Sequence, residues 1–251
     1  MPKVVCIGNP VYDLISTPSV KPSDRVLSGC STNACLAFSK LGLEGFLVGN
    51  VGDDFSARLK DDLTKRGVEF KLYRSAQTGG FQLEYYDDQG NRHLSILGTA
   101  GDISFEFVPE MKDACLILLG PILGEISGDF GRQLRENSPA PLFLDPQGTL
   151  RKSRDGKITH EITDDFKELA RLSKVVKANE LETETVTGIA PRSNPRKAVE
   201  ALHKYGAEIS ILTLAEAGSI IFYAKNFFEI PPYTTNAINP TGAGDTYAAG
   251  F

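Results

Sequence analysis

The densest group of residues able to do chemistry lies near the C-terminal end, in Asn239-Pro-Thr-Gly-Ala-Gly-Asp245-Thr-Tyr-Ala-Ala-Gly-Phe251. Gly242, Ala243 and Gly244 are small residues ahead of a predicted helix. Their backbone N–H groups can converge on one point, and the positive end of the helix dipole adds to the field there. Such a point is an anion hole, suited to the charge of a phosphoryl group in flight. Asp245 stands at its mouth, where a carboxylate accepts the proton of an attacking hydroxyl. In phosphoryl transfer, positioning and electrostatics carry most of the catalysis. A Gly-x-Gly-Asp stretch also occurs where a glycine-rich turn merely caps a helix, and these residues alone leave both readings open. A dinucleotide fingerprint is excluded. It needs a glycine where this chain has Tyr247, and it follows the first strand, which here runs into Asn9-Pro10. There is no Gly-x-x-x-x-Gly-Lys-Ser/Thr phosphate loop either.

These residues need a frame. Val4 to Ile7, Cys115 to Leu119, Leu142 to Leu144, Val175 to Lys177 and Ile209 to Leu212 read as buried strands. Helical patterns lie between them, near Ile126 to Glu136, Thr163 to Leu172 and Asn194 to Tyr205. The last has Asn194 as cap, Pro195 at its first position and Gly206 at its end. Ser31 is expected to cap a helix that runs to Leu41 and stops at Gly42. A further helix follows Asp53 and Asp54, with Phe55, Leu59 and Leu63 on one face and Gly67 at its end. Strands alternating with helices predict a parallel sheet covered on both faces. Phe81 to Tyr86 and Arg92 to Leu97 break the alternation as a hairpin around Asp-Asp-Gln-Gly-Asn, expected to form an antiparallel lid. Gln82, Tyr85 and Arg92 belong to it, and alternation alone does not say which face each occupies. A second polar hairpin is expected at Arg154-Asp-Gly-Lys157.

The 251 residues carry 27 Lys and Arg against 32 Asp and Glu, a formal charge of −5. That balance lacks the basic footprint of a nucleic-acid binder. The uncharged apolar runs are too short to span a membrane. The N-terminus has no signal-peptide pattern. The four cysteines, at 6, 30, 35 and 115, have no CxxC spacing. Cys6 and Cys115 lie in apolar runs, where cysteine behaves as a small hydrophobe. Reduced thiols and a cytoplasmic location are the expectation. Three separated histidines form no zinc cluster.

Thr-Gly-Ala-Gly-Asp-Thr followed by Ala-Gly-Phe closely resembles the C-terminal signature of ribokinase-like (PfkB) sugar and nucleoside kinases. The resemblance extends in order along the chain. Gly29-Cys-Ser-Thr-Asn33, leading to Leu41-Gly42, is similar to the family's first signature, with Ser28 where a first glycine is usual. Val48-Gly-Asn-Val-Gly-Asp53-Asp54 matches a second landmark. Ala178-Asn179-Glu-Leu-Glu182 resembles the Asn-x-x-Glu motif. Thr213-Leu-Ala-Glu-Ala-Gly218-Ser219 is similar to the nucleotide loop, with Ala215 in place of a common glycine.

The resemblance implies a three-layer Rossmann-like (ribokinase-like) α/β sandwich, with 1–251 as a single domain and lid segments near 13–28 and 72–99. It implies that Asp245 is the base, that Gly242, Ala243 and Gly244 stabilise developing charge, and that Asp13, Gly29 and Asn33 hold the acceptor. Asn179 and Glu182 would organise Mg2+ and phosphates, Glu182 through water, and Thr213 and Gly218 would contact ATP. A carboxylate or an amide can bond two neighbouring hydroxyls, a glycine lets a ligand approach the backbone, and Mg2+ keeps its waters among oxygen ligands. Without the resemblance, Asp13 reads as a turn aspartate, Asn33 as a helix-terminus residue, and Asn179 and Glu182 as a cap and a surface acid.

The implied reaction is transfer of the ATP γ-phosphoryl group to a hydroxyl of a small sugar, polyol or nucleoside, with lid pairing between subunits as the route to a homodimer. Two departures qualify it. Asn239 stands where many members have an aspartate that helps hold a monovalent cation, so the resemblance does not extend to that cation. Phe251 ends the chain six residues after Asp245, where members continue through further helices. The natural protein is therefore expected to be longer, or its nucleotide pocket to be completed differently. A non-catalytic sugar- or nucleoside-binding or regulatory protein on the same fold is the second reading.

Overall fold

The computed structural model describes residues 1–86, 92–107, 111–154, 156–235 and 239–251. In chain order the elements are β1 (Lys3–Ile7), β2 (Val11–Ser16), β3 (Val26–Ser28), α1 (Cys30–Lys40), β4 (Glu44–Gly52), α2 (Ser56–Lys65), β5 (Glu69–Ser75), β6 (Gly80–Tyr85), β7 (Arg92–Gly98), β8 (Ala114–Leu119), α3 (Gly128–Asn137), β9 (Leu142–Leu144), β10 (Arg151–Arg154), β11 (Lys157–His160), α4 (Asp164–Leu172), β12 (Val175–Ala178), α5 (Glu180–Thr187), α6 (Pro195–His203), β13 (Ile209–Thr213), β14 (Ser219–Tyr223), β15 (Asn226–Ile230) and α7 (Ala243–Gly250).

Nine strands form the main sheet in the order β15-β14-β13-β12-β9-β8-β1-β4-β5. It is parallel from β5 to β13, and β14 and β15 close one edge antiparallel. Alternate residues of each strand feed opposite layers. Val5, Ile7, Ile117, Leu119, Leu142, Leu144 and Val176 pack with Phe130, Leu134, Phe166, Leu169 and Leu202 from α3, α4 and α6. Val4, Cys6, Leu118, Phe143, Val175 and Ile211 pack with Ala34, Phe38, Leu59, Leu63, Ala248 and Ala249 from α1, α2 and α7. Strands buried on both faces read as near-continuous apolar runs, which is why these short runs stand out in the sequence. The three-layer ribokinase-like α/β sandwich expected from the sequence is the one observed.

A second sheet, β10-β11-β7-β6-β2-β3, contains the segments expected to form a lid. β6 and β7 pair antiparallel as expected, and the turn between them, 87–91, lies outside the described residues. Phe81, Leu83 and Tyr85 face inward and are buried, whereas Gln82 bonds Glu84 on the outer side. Two further pairings were not legible. β2 runs parallel to β6, and the polar hairpin β10–β11 joins the lid through β7. Residues 69–75 belong to β5 of the main sheet, so on that side the lid strands begin at Gly80.

Local details depart from or add to expectation in three places. Ser31 does not cap α1. It lies inside the helix and its hydroxyl donates to the Gly8 carbonyl at 2.9 Å, while Gly29 takes the cap position. Asp53 and Asp54 do not cap α2. Asp53 pairs with Arg74, and Asp54 accepts from the Thr78 amide and hydroxyl, fixing the chain as it enters the lid. Cys115 is exposed near the start of β8 and takes no part in the core.

Candidate active site

α7 begins at Gly242, whose φ of 81° is left-handed and suits a residue without a side chain. A Cβ there would lie 3.2 Å from Asn33 Nδ2. The bare backbone therefore lets α1 and the start of α7 meet, and across that contact Asn33 Nδ2 donates to Asp245 Oδ2 at 2.8 Å. The Ala243 amide donates to the Pro240 carbonyl at 3.2 Å. The amides of Gly242 and Gly244 have no acceptor among the described residues. Asn239 Oδ1 accepts from the Thr241 amide at 3.0 Å, and the Thr241 hydroxyl shares a 2.9 Å hydrogen bond with Tyr85 of the lid.

Beneath this turn lies a buried charge cluster. Asp145 follows β9 and Lys177 sits on β12, with Lys177 Nζ 2.5 Å from Asp145 Oδ2. Lys177 Nζ also donates to the Gly244 carbonyl at 3.2 Å. A Cβ on Gly244 would come within 3.0 Å of that ammonium. Cys30 Sγ and carboxylate oxygens of Asp145 and Asp245 lie within 4.8 Å of one another. Burial, then the Asp145 charge, raise the pKa of Asp245, while Lys177, Asn33 and Cys30 oppose the rise. For Lys177, burial disfavours the ammonium, but Asp145, Glu182, Cys30 and Asp245 together outweigh it and hold the amine protonated.

Asn179 and Glu182 form a capping box at the start of α5. Asn179 Oδ1 accepts from the Glu182 amide at 2.9 Å, and Glu182 Oε2 accepts from the Asn179 amide at 2.8 Å. Glu182 is 4% exposed, so the reading of it as a surface acid does not hold. Burial first, and Asp145 second, push its pKa up to about 7.

Asp13 is buried on β2 of the lid. It accepts from the Phe81 amide at 2.8 Å and from the Ser28 hydroxyl. Burial raises it to about 6, against the pull of Ser28, the Phe81 amide, Arg151 and Arg92. Ser28, where a glycine was expected, thus has a definite partner. Gly29, with a φ of 111°, starts α1 and accepts the Asn33 amide at 2.8 Å.

Thr213 pairs with Ser219 across β13 and β14, and the Ser219 hydroxyl bonds Tyr247 at 2.8 Å, which ties this loop to α7. Gly218 turns tightly against β15, because a Cβ would meet the Ile230 carbonyl at 2.2 Å. Direct contacts therefore join Asp245, Gly242 and Asn33. Lys177 links Gly244 to Asp145, Asp13 belongs to the lid side, and Thr213 and Gly218 stand behind α7. Sequence reasoning passed over Lys177, and its signal was a charge inside an otherwise apolar strand.

The model of the pfkB family of carbohydrate kinases matches residues 1–251. The chain belongs to this family. Its curated relatives are kinases of sugars and of nucleosides. Pseudouridine kinase of Escherichia coli is 33% identical over 89% of this chain and 71% of its own length. Cytidine kinase of Thermococcus kodakarensis is 25% identical over 99% of this chain and 86% of its own. Among solved structures, a pyrophosphate-dependent kinase in the ribokinase family, complexed with a pyrophosphate analog and myo-inositol, superposes with a TM-score of 0.84. It is 21% identical, over 98% of this chain and 84% of that one. Ribokinase from Thermotoga maritima superposes with a TM-score of 0.70 at 18% identity, over 97% and 82%. These pfkB-family likenesses establish the fold that the sheet order already described.

Proposed function

We propose that this pfkB-family kinase transfers the γ-phosphoryl group of ATP to a hydroxyl of a small sugar, polyol or nucleoside, with Asp245 as general base. The observation that carries this reading is the position of Asp245. It lies in the first turn of α7, held by Asn33 at 2.8 Å, beside the amides of Gly242 and Gly244, which have no acceptor among the described residues. Asn33 fixes the carboxylate so that its second oxygen can take the proton of the attacking hydroxyl. The amides, with Ala243 shaping the turn between them, face the charge that develops on the phosphoryl oxygens. Asp13, Gly29 and Asn33 hold the acceptor, with Asp13 accepting from its hydroxyls. The lid excludes water, so the acceptor competes well against hydrolysis.

The donor set fits magnesium. Asp145, Glu182 and Asp245 surround one ammonium, that of Lys177. The excess of buried carboxylate would be relieved by a hard divalent cation. Both Glu182 oxygens already accept from Asn179, through its amide and its side-chain N–H, so Asn179 and Glu182 would hold the ion through its waters. Bound Mg2+ neutralises charge on the donor phosphates. Thr213 and Gly218 form the nucleotide loop, and lid strands of two copies pair in a homodimer.

The test is ADP release from Mg-ATP across a panel of sugars, polyols and nucleosides, with pyrophosphate as an alternative donor. Turnover with one acceptor class, abolished in Asp245→Asn, is the expected result. Tight acceptor binding without turnover on any donor would replace the kinase reading with a ligand-binding one.

A further inference from the structure

Arg151, the first residue of β10, is 7% exposed. Among the described residues its guanidinium makes one long hydrogen bond, 3.4 Å to the Ile122 carbonyl, and its Nε has no partner. No described carboxylate lies within ion-pair distance of it. A buried charge left without a partner is among the costliest features a fold can carry. Arginine cannot escape the cost by losing its proton.

Its surroundings are organised. The guanidinium lies 5.5 Å from the Phe81 ring centroid, and the Phe81 amide donates to Asp13. Arg151 and Asp13 thus hold two ends of one lid residue. Arg151 also lines a cavity of about 270 Å³, together with Phe81, Asn9, Val11, Ile122 and Lys152. That is close to the lower end of the small-molecule range. Gly29 backs onto the same wall, since a Cβ on it would lie 3.2 Å from the Asn9 carbonyl and 3.5 Å from Val11.

The lining holds two cations, Arg151 and Lys152, and two acids, Glu125 and Asp102. Lys152 adds a second cation to the lining, and Arg92 of β7 adds to the field at Arg151. After burial, Arg151 and Arg92 are what lower the proton affinity of neighbouring His160. Of the acids in the lining, Glu125 gives both oxygens to the amides of Asn9, Ile122 and Leu123, and Asp102 is exposed at the rim. Asp13, Asp145 and Glu182 act on Arg151 only from beyond ion-pair range.

We infer that Arg151 is a specificity-determining cation, and that the acceptor carries an anionic oxygen group, carboxylate or phosphate, which occupies this cavity. The guanidinium offers parallel N–H donors that match such a group. The inference rests on the phosphoryl-transfer reading of the site and names the acceptor class for it. In that arrangement the reacting hydroxyl would face Asp245 and the charged end Arg151, whose guanidinium is near enough to Asp13 and Asp145 to feel their charges.

The experiment compares matched acceptors, gluconate with glucitol and ribose 5-phosphate with ribose, by steady-state kinetics and by calorimetric binding to the full chain. The anionic member of one pair is expected to lead in kcat/KM by roughly ten- to a hundredfold, mostly through KM. The pair that shows the lead separates carboxylate from phosphate. In Arg151→Met the ratio collapses towards one, and in Arg151→Lys part of it returns. Arg151→Gln, which keeps hydrogen-bonding capacity without charge, answers the same question if the Met variant does not fold. Equal or better binding of the neutral members, or an anion preference that persists in the Gln or Met variant, overturns the inference. Arg151-dependent anion binding with no turnover would sink the transfer reading and leave Arg151 as the anion site of a ligand-binding protein. Turnover with no anion preference would do the reverse.

Discussion

Lys177 and Asp145 form an ion pair of 2.5 Å in which both side chains are almost wholly buried, and the same ammonium reaches the Gly244 carbonyl. The pair joins the ends of two parallel strands to the turn that carries Asp245. Removing one partner strands the other charge in the interior. Lys177→Met is therefore expected to cost about 3–5 kcal/mol, measured by urea denaturation. The double change Lys177→Met with Asp145→Leu should recover much of that loss, because an apolar pair leaves no stranded charge. The two effects on activity should differ. Without Lys177 the proton affinity of Asp245 rises, so the acid limb of kcat/KM moves to higher pH in the single variant, whereas in the double variant the loss of Asp145, whose charge raises that affinity, offsets the shift.

Asp245→Asn retains the shape of the side chain and its contact with Asn33 but cannot accept a proton. We expect kcat to fall by about 10²–10⁴, with acceptor affinity, read by calorimetry, changed far less. Near-normal turnover would remove Asp245 from the role of base.

Asp13 and Glu182 set a pH dependence whose sign follows from burial. Their folded pKa values, about 6 and about 7, lie above the ordinary carboxylate range. In that window the folded state binds more protons than the unfolded one, so their contribution to stability is full at low pH and is lost as pH rises through the folded values. Thermal melts of Asp13→Asn and the parent should therefore lie closest at acid pH and separate above about pH 6, with Asn the more stable. For catalysis the sign reverses. Asp13 must be ionised to accept from the acceptor's hydroxyls, so kcat/KM should fall below about pH 6. An acid limb unchanged in Asp13→Asn would separate that carboxylate from acceptor binding.

The capping box gives Asn179 two duties that can be measured apart. Asn179→Ala removes the cap of α5 at a cost of about 1 kcal/mol, read from the denaturation midpoint. It also frees the Glu182 carboxylate from its side-chain partner, so the Mg2+ concentration for half-maximal activity should rise. Asn179→Asp, which still caps, should restore stability.

Gly242→Ala places a methyl group against Asn33 at a left-handed φ. A cost of about 1–2 kcal/mol is expected from the backbone alone. Displacement of Asn33 should lower kcat beyond what the melting temperature explains.

How much of this was legible depends on the range of the interaction. The strands announced themselves because both of their faces are buried, and Gly242 and Asn179 because helix starts have local requirements. The parallel pairing of β2 with β6 was not legible, since a hairpin signal describes only neighbours in sequence. Ser31 looked like a cap because its type favours one, yet its hydroxyl found the Gly8 carbonyl through tertiary contact. Lys177 and Arg151 were hidden for the same reason. A charged residue is expected at the surface, and only the fold reveals that these two are enclosed.

The hydrogen bond between Tyr85 and Thr241 has one end in the lid sheet and the other in the turn ahead of α7. Neither part can shift without pulling on the other. A ligand that displaced β6 would thereby displace the turn ahead of α7 as well, so the second sheet and the segment that carries Asp245 share one mechanical link through a single tyrosine hydroxyl.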